Sequence, residues 1–443
     1  MTHLGTFLLA GADKKSGEAL IAALGKNGLR GHHEPGLAAI IDRARADHPD
    51  ILVVDRAIEG GDILELARQV KAYPETCDIP ICLLAERFDS AMARAVLAQG
   101  LDDLIIAPFN TDMLTARLKP LLRLSTMHTE LLRRAQVATS FGLMVPERVE
   151  TAVNLDKQSL LVVCAGSAQE KLDYRDALSP ADLIITESLY EAESLLTQRN
   201  FDAALLDVRG KPADYLGFCS QVRNNSRLFN LPVVLAMRPE DMGDGIEAYR
   251  RGASRVIPKP IDADRLQLGT QILVRRQRLR WKIREALLKT LAQPTADAHT
   301  ATYGAPFFHS YVESRLDFAK AGNRHLSVVF VNIPNVPGIA QQFGDEAAGM
   351  LMSQLGNWIN GLLRVEDLVS RTDTSEFCLV LPDTPIEEAE VVMHRIASVL
   401  TYTDFAVPEV YQPVRVWVEI GSAIAQQNDT VASLLARAHT NIN

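Results

Sequence analysis

Two stretches, DILVVD at Asp50–Asp55 and DAALLD at Asp202–Asp207, each read as a short apolar strand ending on an aspartate. A proline inside an apolar segment stands 25 residues beyond each aspartate, Pro80 in IPICLLA and Pro232 in LPVVLAM, and another stands 53 residues beyond, Pro108 and Pro260. One matched interval could be chance, but two mark an internal repeat. FLLAGA at Phe7–Ala12 and LLVVCA at Leu160–Ala165 supply a first strand for each copy, and helical patterns such as GEALIAAL and YEAESLL fall between the strands. Strand and helix in alternation imply a parallel sheet covered on both faces, so each copy is expected to be a doubly wound α/β domain. Short apolar runs alone do not separate a buried strand from part of a helix, so order and spacing decide.

The chain has 443 residues, which at roughly 100 to 200 residues per domain suggests about three domains. With 47% hydrophobic and 23% charged residues it has the composition of a folded globular protein, not of a disordered one. A formal charge of −9 argues against nucleic acid as a general partner. Cys77, Cys82, Cys164, Cys219 and Cys378 are odd in number and lack CxxC spacing, so they read neither as a disulfide framework nor as a zinc site. No stretch reaches the ~20 apolar residues of a membrane span, and the N-terminus lacks a basic flank. A cytoplasmic location without membrane insertion is expected, and recruitment to a cell pole would require a partner.

The repeat resembles the bacterial response-regulator receiver family, a flavodoxin-like fold, over about residues 5–125 and 158–278. The resemblance makes Asp55 and Asp207 the phosphoacceptor positions. It implies an acidic pair that holds magnesium, a switch hydroxyl, and a lysine that neutralises the phosphoryl group. Here the acidic-pair positions hold Gly11 and Ala12, then Cys164 and Ala165, and the switch positions hold Ala85 and Met237. The lysine position holds Ala107 in the first copy and Lys259 in the second. Asp55 and Asp207 are therefore expected to be degenerate phosphoacceptors in domains used for docking or dimerisation. Basic residues Arg275, Arg276, Arg278, Arg280, Lys282 and Arg284 read as a solvated helix face or an interdomain packing face.

The last third reads as α+β: helix (FFHSYVESRLDFAKAG), strand (LSVVFVNI), helix (AAGMLMSQLGNWINGLL), hairpin (DLVSRT, EFCLVLP), helix (EEAEVVMHRIASVL), strand (VRVWVEIGSAIA) and a final helix. RVEDLVSRTDTSEFCLVLP at Arg364–Pro382 resembles the GGDEF diguanylate cyclase family, where RxxD precedes the GGDEF hairpin by five residues. The expected domains are thus a first receiver over 1–126, a helical linker over 127–156, a second receiver with its terminal helix over 157–290, and a degenerate nucleotidyl cyclase-like GGDEF domain over 295–443.

The resemblance also implies which groups are missing. Asp373, Thr374 and Ser375 replace the two glycines and the central acid of the signature, and Asn332 replaces the metal-binding aspartate. Pro334 and Pro337 stand where the family has an acid and a lysine, while Ala340 and Gly349 replace the guanine-reading residues. DAHTATYGA at Asp297–Ala305 replaces the usual opening motif, and the C-terminal lysine-bearing stretch is absent from this sequence. Glu376 is the one expected metal ligand left, so neither a catalytic nor a metal site is expected.

Arg364 and Asp367 nevertheless match the family's product-binding site, and Arg395 matches its second arginine by spacing. An arginine fork can donate to O6 and N7 of guanine while a carboxylate accepts from N1 and N2. RxxD alone is a weak motif, since Arg238 and Asp241 form a second one. The receiver–receiver–GGDEF order is that of the PleD-like layout. Within it the chain most resembles the catalytically inactive cyclic di-GMP effectors of the PopA type. That resemblance implies an adaptor in bacterial cell-cycle control and ClpXP proteolysis, with RcdA/ClpXP-type protein partners, a possible homodimer, cyclic di-GMP as ligand and no required cofactor. The alternatives are an active diguanylate cyclase with relaxed motifs, or a phosphorylation-driven response regulator.

Overall fold

The computed structural model describes residues 4–11, 13–55, 63–225, 227–243, 245–407, 410 and 412–441. In the first repeat, β1 (Gly5–Ala10), β2 (Leu29–Glu34), β3 (Ile51–Asp55), β4 (Ile81–Ala85) and β5 (Asp103–Ile106) form a sheet in the order β2-β1-β3-β4-β5. In the second, β6 (Ser159–Val163), β7 (Asp182–Thr186), β8 (Ala203–Asp207), β9 (Val233–Met237) and β10 (Arg255–Pro258) repeat that order as β7-β6-β8-β9-β10. The central strands pair in parallel in both, as expected. Val53, Val54, Leu205 and Leu206 are buried, because helices cover both faces and a doubly covered strand has no polar side. Asp55 and Asp207 each sit at the carboxyl end of a central strand.

The third sheet runs β11-β13-β14-β12-β15, from β11 (Tyr303–Gly304), β12 (Leu326–Asn332), β13 (Leu368–Asp373), β14 (Glu376–Pro382) and β15 (Glu419–Ile424). Here β12 is antiparallel to both β14 and β15, and β13 and β14 form the expected hairpin. Two core clusters flank the sheet, one around Leu351, Phe377 and Met393, the other around Phe308, Val328 and Cys378. At Gly421 a Cβ would come 2.1 Å from the carbonyl oxygen of Ala438, so only glycine admits the helix Val431–Thr440 this close to β15.

Two expectations need correction, and one helix was not expected. The linker is helical only in its first part: one helix runs Thr111–Ser140, and residues 141–156 form neither helix nor strand. Gly142 takes φ 79° and the Leu143 amide reaches back to the Ala138 carbonyl, which closes the helix. The strand expected from Val414 onward is confined to Glu419–Ile424, and among the described residues before it Val414 makes an isolated bridge to Phe405. A further helix, Val336–Phe343, starts with Pro337 in its first turn, a place where the missing amide hydrogen costs nothing.

The chain divides into two compact units, Thr6–Ser125 with Glu150–Lys282, and Met1–Gly5 with Thr126–Val149 and Ile283–Asn443. In the first unit the receivers are joined by buried charge. Arg117 Nε donates to Asp103 Oδ2 at 2.9 Å, Arg255 of the second sheet also reaches Asp103, and Arg275 Nη1 donates to Asp102 Oδ1 at 2.8 Å. The basic helix is therefore a packing face: Arg275 and Arg276 are buried, and Arg278 grips Asp202 at 2.7 Å. In the second unit, Glu130 on the helix Thr111–Ser140 is fully buried against Arg315 Nε at 3.0 Å and accepts from the Tyr311 hydroxyl.

Candidate functional site

Arg364 follows the helix Asp345–Leu362 and precedes β13 in a tight turn, where the Asp367 amide donates to the Arg364 carbonyl at 3.1 Å. Asp367 Oδ2 accepts from the Arg364 amide at 2.9 Å, so this buried carboxylate first staples its own loop. The Arg364 side chain is 45% exposed and lies 3.8 Å from Glu388 on the helix Ile386–Thr401. Arg395, exposed on that helix, donates from Nη2 to the Leu362 carbonyl at 2.6 Å. Seven residues are about two helical turns, so Glu388 and Arg395 share the face that meets the Arg364 loop. The structure thus places Arg364 and Arg395 on one solvent-facing surface, with Asp367 buried in the turn that carries Arg364. The other RxxD is only a surface contact, Arg238 with Glu240 at 3.9 Å.

At the hairpin, Asn332 and Ser375 turn to each other: Ser375 Oγ donates to Asn332 Oδ1 at 3.0 Å. Asn332 Nδ2 in turn donates to Glu419 Oε2 at 2.8 Å, and the Ile333 amide to the Ser375 carbonyl at 2.9 Å. Glu376 accepts from the Thr372 hydroxyl and lies 3.5 Å from Cys378 Sγ. Neither Asp373 nor Thr374 adopts a positive φ. The turn is held instead by Arg371, whose Nε and Nη2 donate to the carbonyls of Asp373 and Thr374 at 3.1 and 2.9 Å.

In the second receiver, Asp207 is buried with both oxygens engaged by cations: Lys259 pairs with Oδ1, and Arg209 Nε donates to Oδ2 at 2.7 Å. Arg209 also binds Glu170, whose carboxyl is held down to about 2 by that hydrogen bond first and then by those from Ser167. The Cys164 thiol donates to Asp207 Oδ2 at 3.5 Å. Burial, then the neighbouring Asp207 charge, lifts the Tyr174 phenol well above its ordinary range. Glu170, Tyr174, Asp207, Arg209 and Lys259 border a pocket of about 380 Å³. In the first receiver a Cβ at Gly11 would meet the Asp55 Cβ at 3.2 Å, and Ala12 lies outside the described residues. Arg209 was not singled out from the sequence, since a basic residue just after a strand looks ordinary. Glu170 carried a signal, the Ser167-x-x-Glu170 capping box.

Residues 295–443 match the family model described as "Diguanylate cyclase, GGDEF domain". With the two preceding α/β sheets, this gives the chain the layout of a PleD-like response regulator, receiver domains followed by a GGDEF domain. In particular, it is similar to Response regulator PleD of Caulobacter vibrioides, 25% identical over 397 residues that cover 89% of this chain and 87% of that protein. A phosphate regulon transcriptional regulatory protein, PhoB of Rhizobium meliloti, is 39% identical over 75 residues, 17% of this chain and 33% of that one. The GGDEF domain of FimX from Pseudomonas aeruginosa aligns with a TM-score of 0.32 at 17% identity, covering 33% of this chain and 90% of that domain. Among the described residues no helix is long and apolar enough to cross a membrane.

Proposed function

We propose that the chain is a non-catalytic cyclic di-GMP receptor. The dinucleotide binds the C-terminal domain at Arg364, Asp367 and Arg395, and the receivers serve as docking surfaces. The observation that supports this reading is a contrast within one domain. Asn332 and Ser375 satisfy each other at the catalytic positions, while the guanidinium groups of Arg364 and Arg395 stay exposed on a shared face. Joining two GTP molecules requires metal ions held by several carboxylates, and a neutral amide bonded to a hydroxyl supplies none. Guanine recognition requires only a fork of donors and a nearby acceptor.

The doubly neutralised Asp207 likewise favours a receiver that is not a phosphorylation switch. A phosphoryl group would need the magnesium ligands that Cys164 and Ala165 do not provide. The resemblance to PopA-type effectors extends the reading to an adaptor of an RcdA/ClpXP-type complex, recruited to a cell pole in cell-cycle control. That layer rests on the resemblance alone.

Incubation of the purified chain with GTP and magnesium tests the non-catalytic part, and no cyclic dinucleotide is expected. Product that disappears in Glu376→Ala would overturn it, because it would reveal a working metal site.

A further inference from the structure

Glu376 and Cys378 are two residues apart on β14, so their side chains leave the sheet on the same face. His439, near the end of the helix Val431–Thr440, reaches that face with its ring 4.1 Å from the ring of Phe330. The helix is fixed at both ends: Thr430 and Ser433 form a capping box, and Asn441 Nδ2 donates to the Ser422 carbonyl at 3.1 Å. Close approach at Gly421 fixes its height over the sheet. One carboxylate oxygen, one sulfur and one imidazole nitrogen thereby converge within 4.8 Å of one another, a trio that stands alone among the described residues.

We infer that Glu376, Cys378 and His439 form a binding site for a borderline-soft divalent cation, zinc first. The donor set decides the class of ion. A thiolate and an imidazole select zinc over magnesium, which prefers six oxygens. The spacing decides the geometry. Zinc bonds of about 2.0 to 2.3 Å at tetrahedral angles require ligand edges of roughly 3.3 to 3.5 Å. Cys378 Sγ lies 3.5 Å and His439 Nε2 lies 3.8 Å from Glu376 Oε1, and all three atoms lie within 4.8 Å, so the His439 and Cys378 side chains have to draw together to close the site. Cys378 gives its proton to solvent on binding, and the thiolate and carboxylate together balance the charge of the ion. Three protein ligands leave a fourth position for water, and the Thr372 hydroxyl donates to Glu376 beside them. Zinc here would also occupy Glu376, the acid retained at the end of β14 next to the hairpin turn, tying it to the helix Val431–Thr440.

The site is independent of the dinucleotide surface, so its test is separate. The reduced, metal-free full-length chain is titrated with zinc against a chromophoric chelator, and one equivalent is expected to bind. Cys378→Ser and His439→Ala should each weaken binding at least tenfold, while Cys77→Ser and Arg364→Ala should leave it unchanged. Cobalt(II) in place of zinc should give the strong visible absorption of a four-coordinate site with a thiolate charge-transfer band, lost in Cys378→Ser. His439 is partly exposed, so if Cys378→Ser fails to fold, His439→Ala decides the question. No stoichiometric binding, or binding that survives His439→Ala unchanged, overturns the proposal.

Discussion

Arg364 and Asp367 belong to one motif but answer to different forces. Arg364 is exposed and pairs with Glu388 only at 3.8 Å, so truncating it should change stability by no more than ~0.5 kcal/mol. Losing a bidentate guanine contact costs ~1 to 3 kcal/mol, and ~1.4 kcal/mol is tenfold in affinity, so Arg364→Ala should weaken cyclic di-GMP binding by about one to two decades. Arg238→Ala, in the other RxxD, should change nothing. Asp367 is buried and holds the Arg364 amide, so Asp367→Ala should lower stability by ~1 kcal/mol as well as affinity. Melting curves beside the titrations separate the two effects. Arg364, Asp367 and Arg395 were picked out by their match to the family's motif, and Arg395 reaches the Leu362 carbonyl at the end of the helix that leads into the Arg364 turn. Sequence spacing gave no sign of the Glu376, Cys378 and His439 trio. The absence of CxxC spacing pointed away from zinc, and the third ligand is brought in by a helix some sixty residues later whose approach depends on one glycine.

At the level of elements, the stability of each unit rests on buried ions that neither hydropathy nor periodicity reveals. Asp103 is desolvated by burial, which alone would raise its pKa, but the charges of Arg117 and Arg255 outweigh this and hold it at about 2. A folded-state pKa below the unfolded value stabilises above the unfolded pKa, and that contribution is lost as the pH falls. The difference is ~2 kcal/mol at neutral pH, disappearing between about pH 4 and pH 2. Urea denaturation across that window should show the loss in the parent chain and a flatter profile in Asp103→Asn. Equal slopes would mean that Asp103 titrates alike in both states. Glu130 is fully buried against Arg315 and Tyr311, and Asp383 pairs with the same Arg315 at 3.1 Å, so Glu130→Ala removes one of the cation's two carboxylates and should cost ~3 kcal/mol, read from the same denaturation. The parallel order of both receiver sheets was legible because repeated spacing is a global signal. The end of the linker helix at Ser140 was less so, because Gly142 and the amide of Leu143 make a local cap inside an otherwise helical pattern.

The whole molecule keeps the receiver and GGDEF architectures while its polar sites have been turned inward, Asp207 onto Lys259 and Arg209, Asn332 onto Ser375 and Glu419. Acetyl phosphate should therefore leave the chain unlabelled. Labelling that vanishes in Asp207→Asn would restore a phosphorylation switch to the second receiver. Arg364 and Arg395 keep exposed guanidinium groups, the surface that the receptor reading assigns to a guanine base. Calorimetric titration of the full chain with cyclic di-GMP, in parallel with Arg364→Ala, tests the receptor reading most directly. Saturable binding that weakens by one to two decades in the variant, with an unchanged melting temperature, is the predicted result. No binding by the parent chain, or equal binding by a normally folded Arg364→Ala, would contradict it.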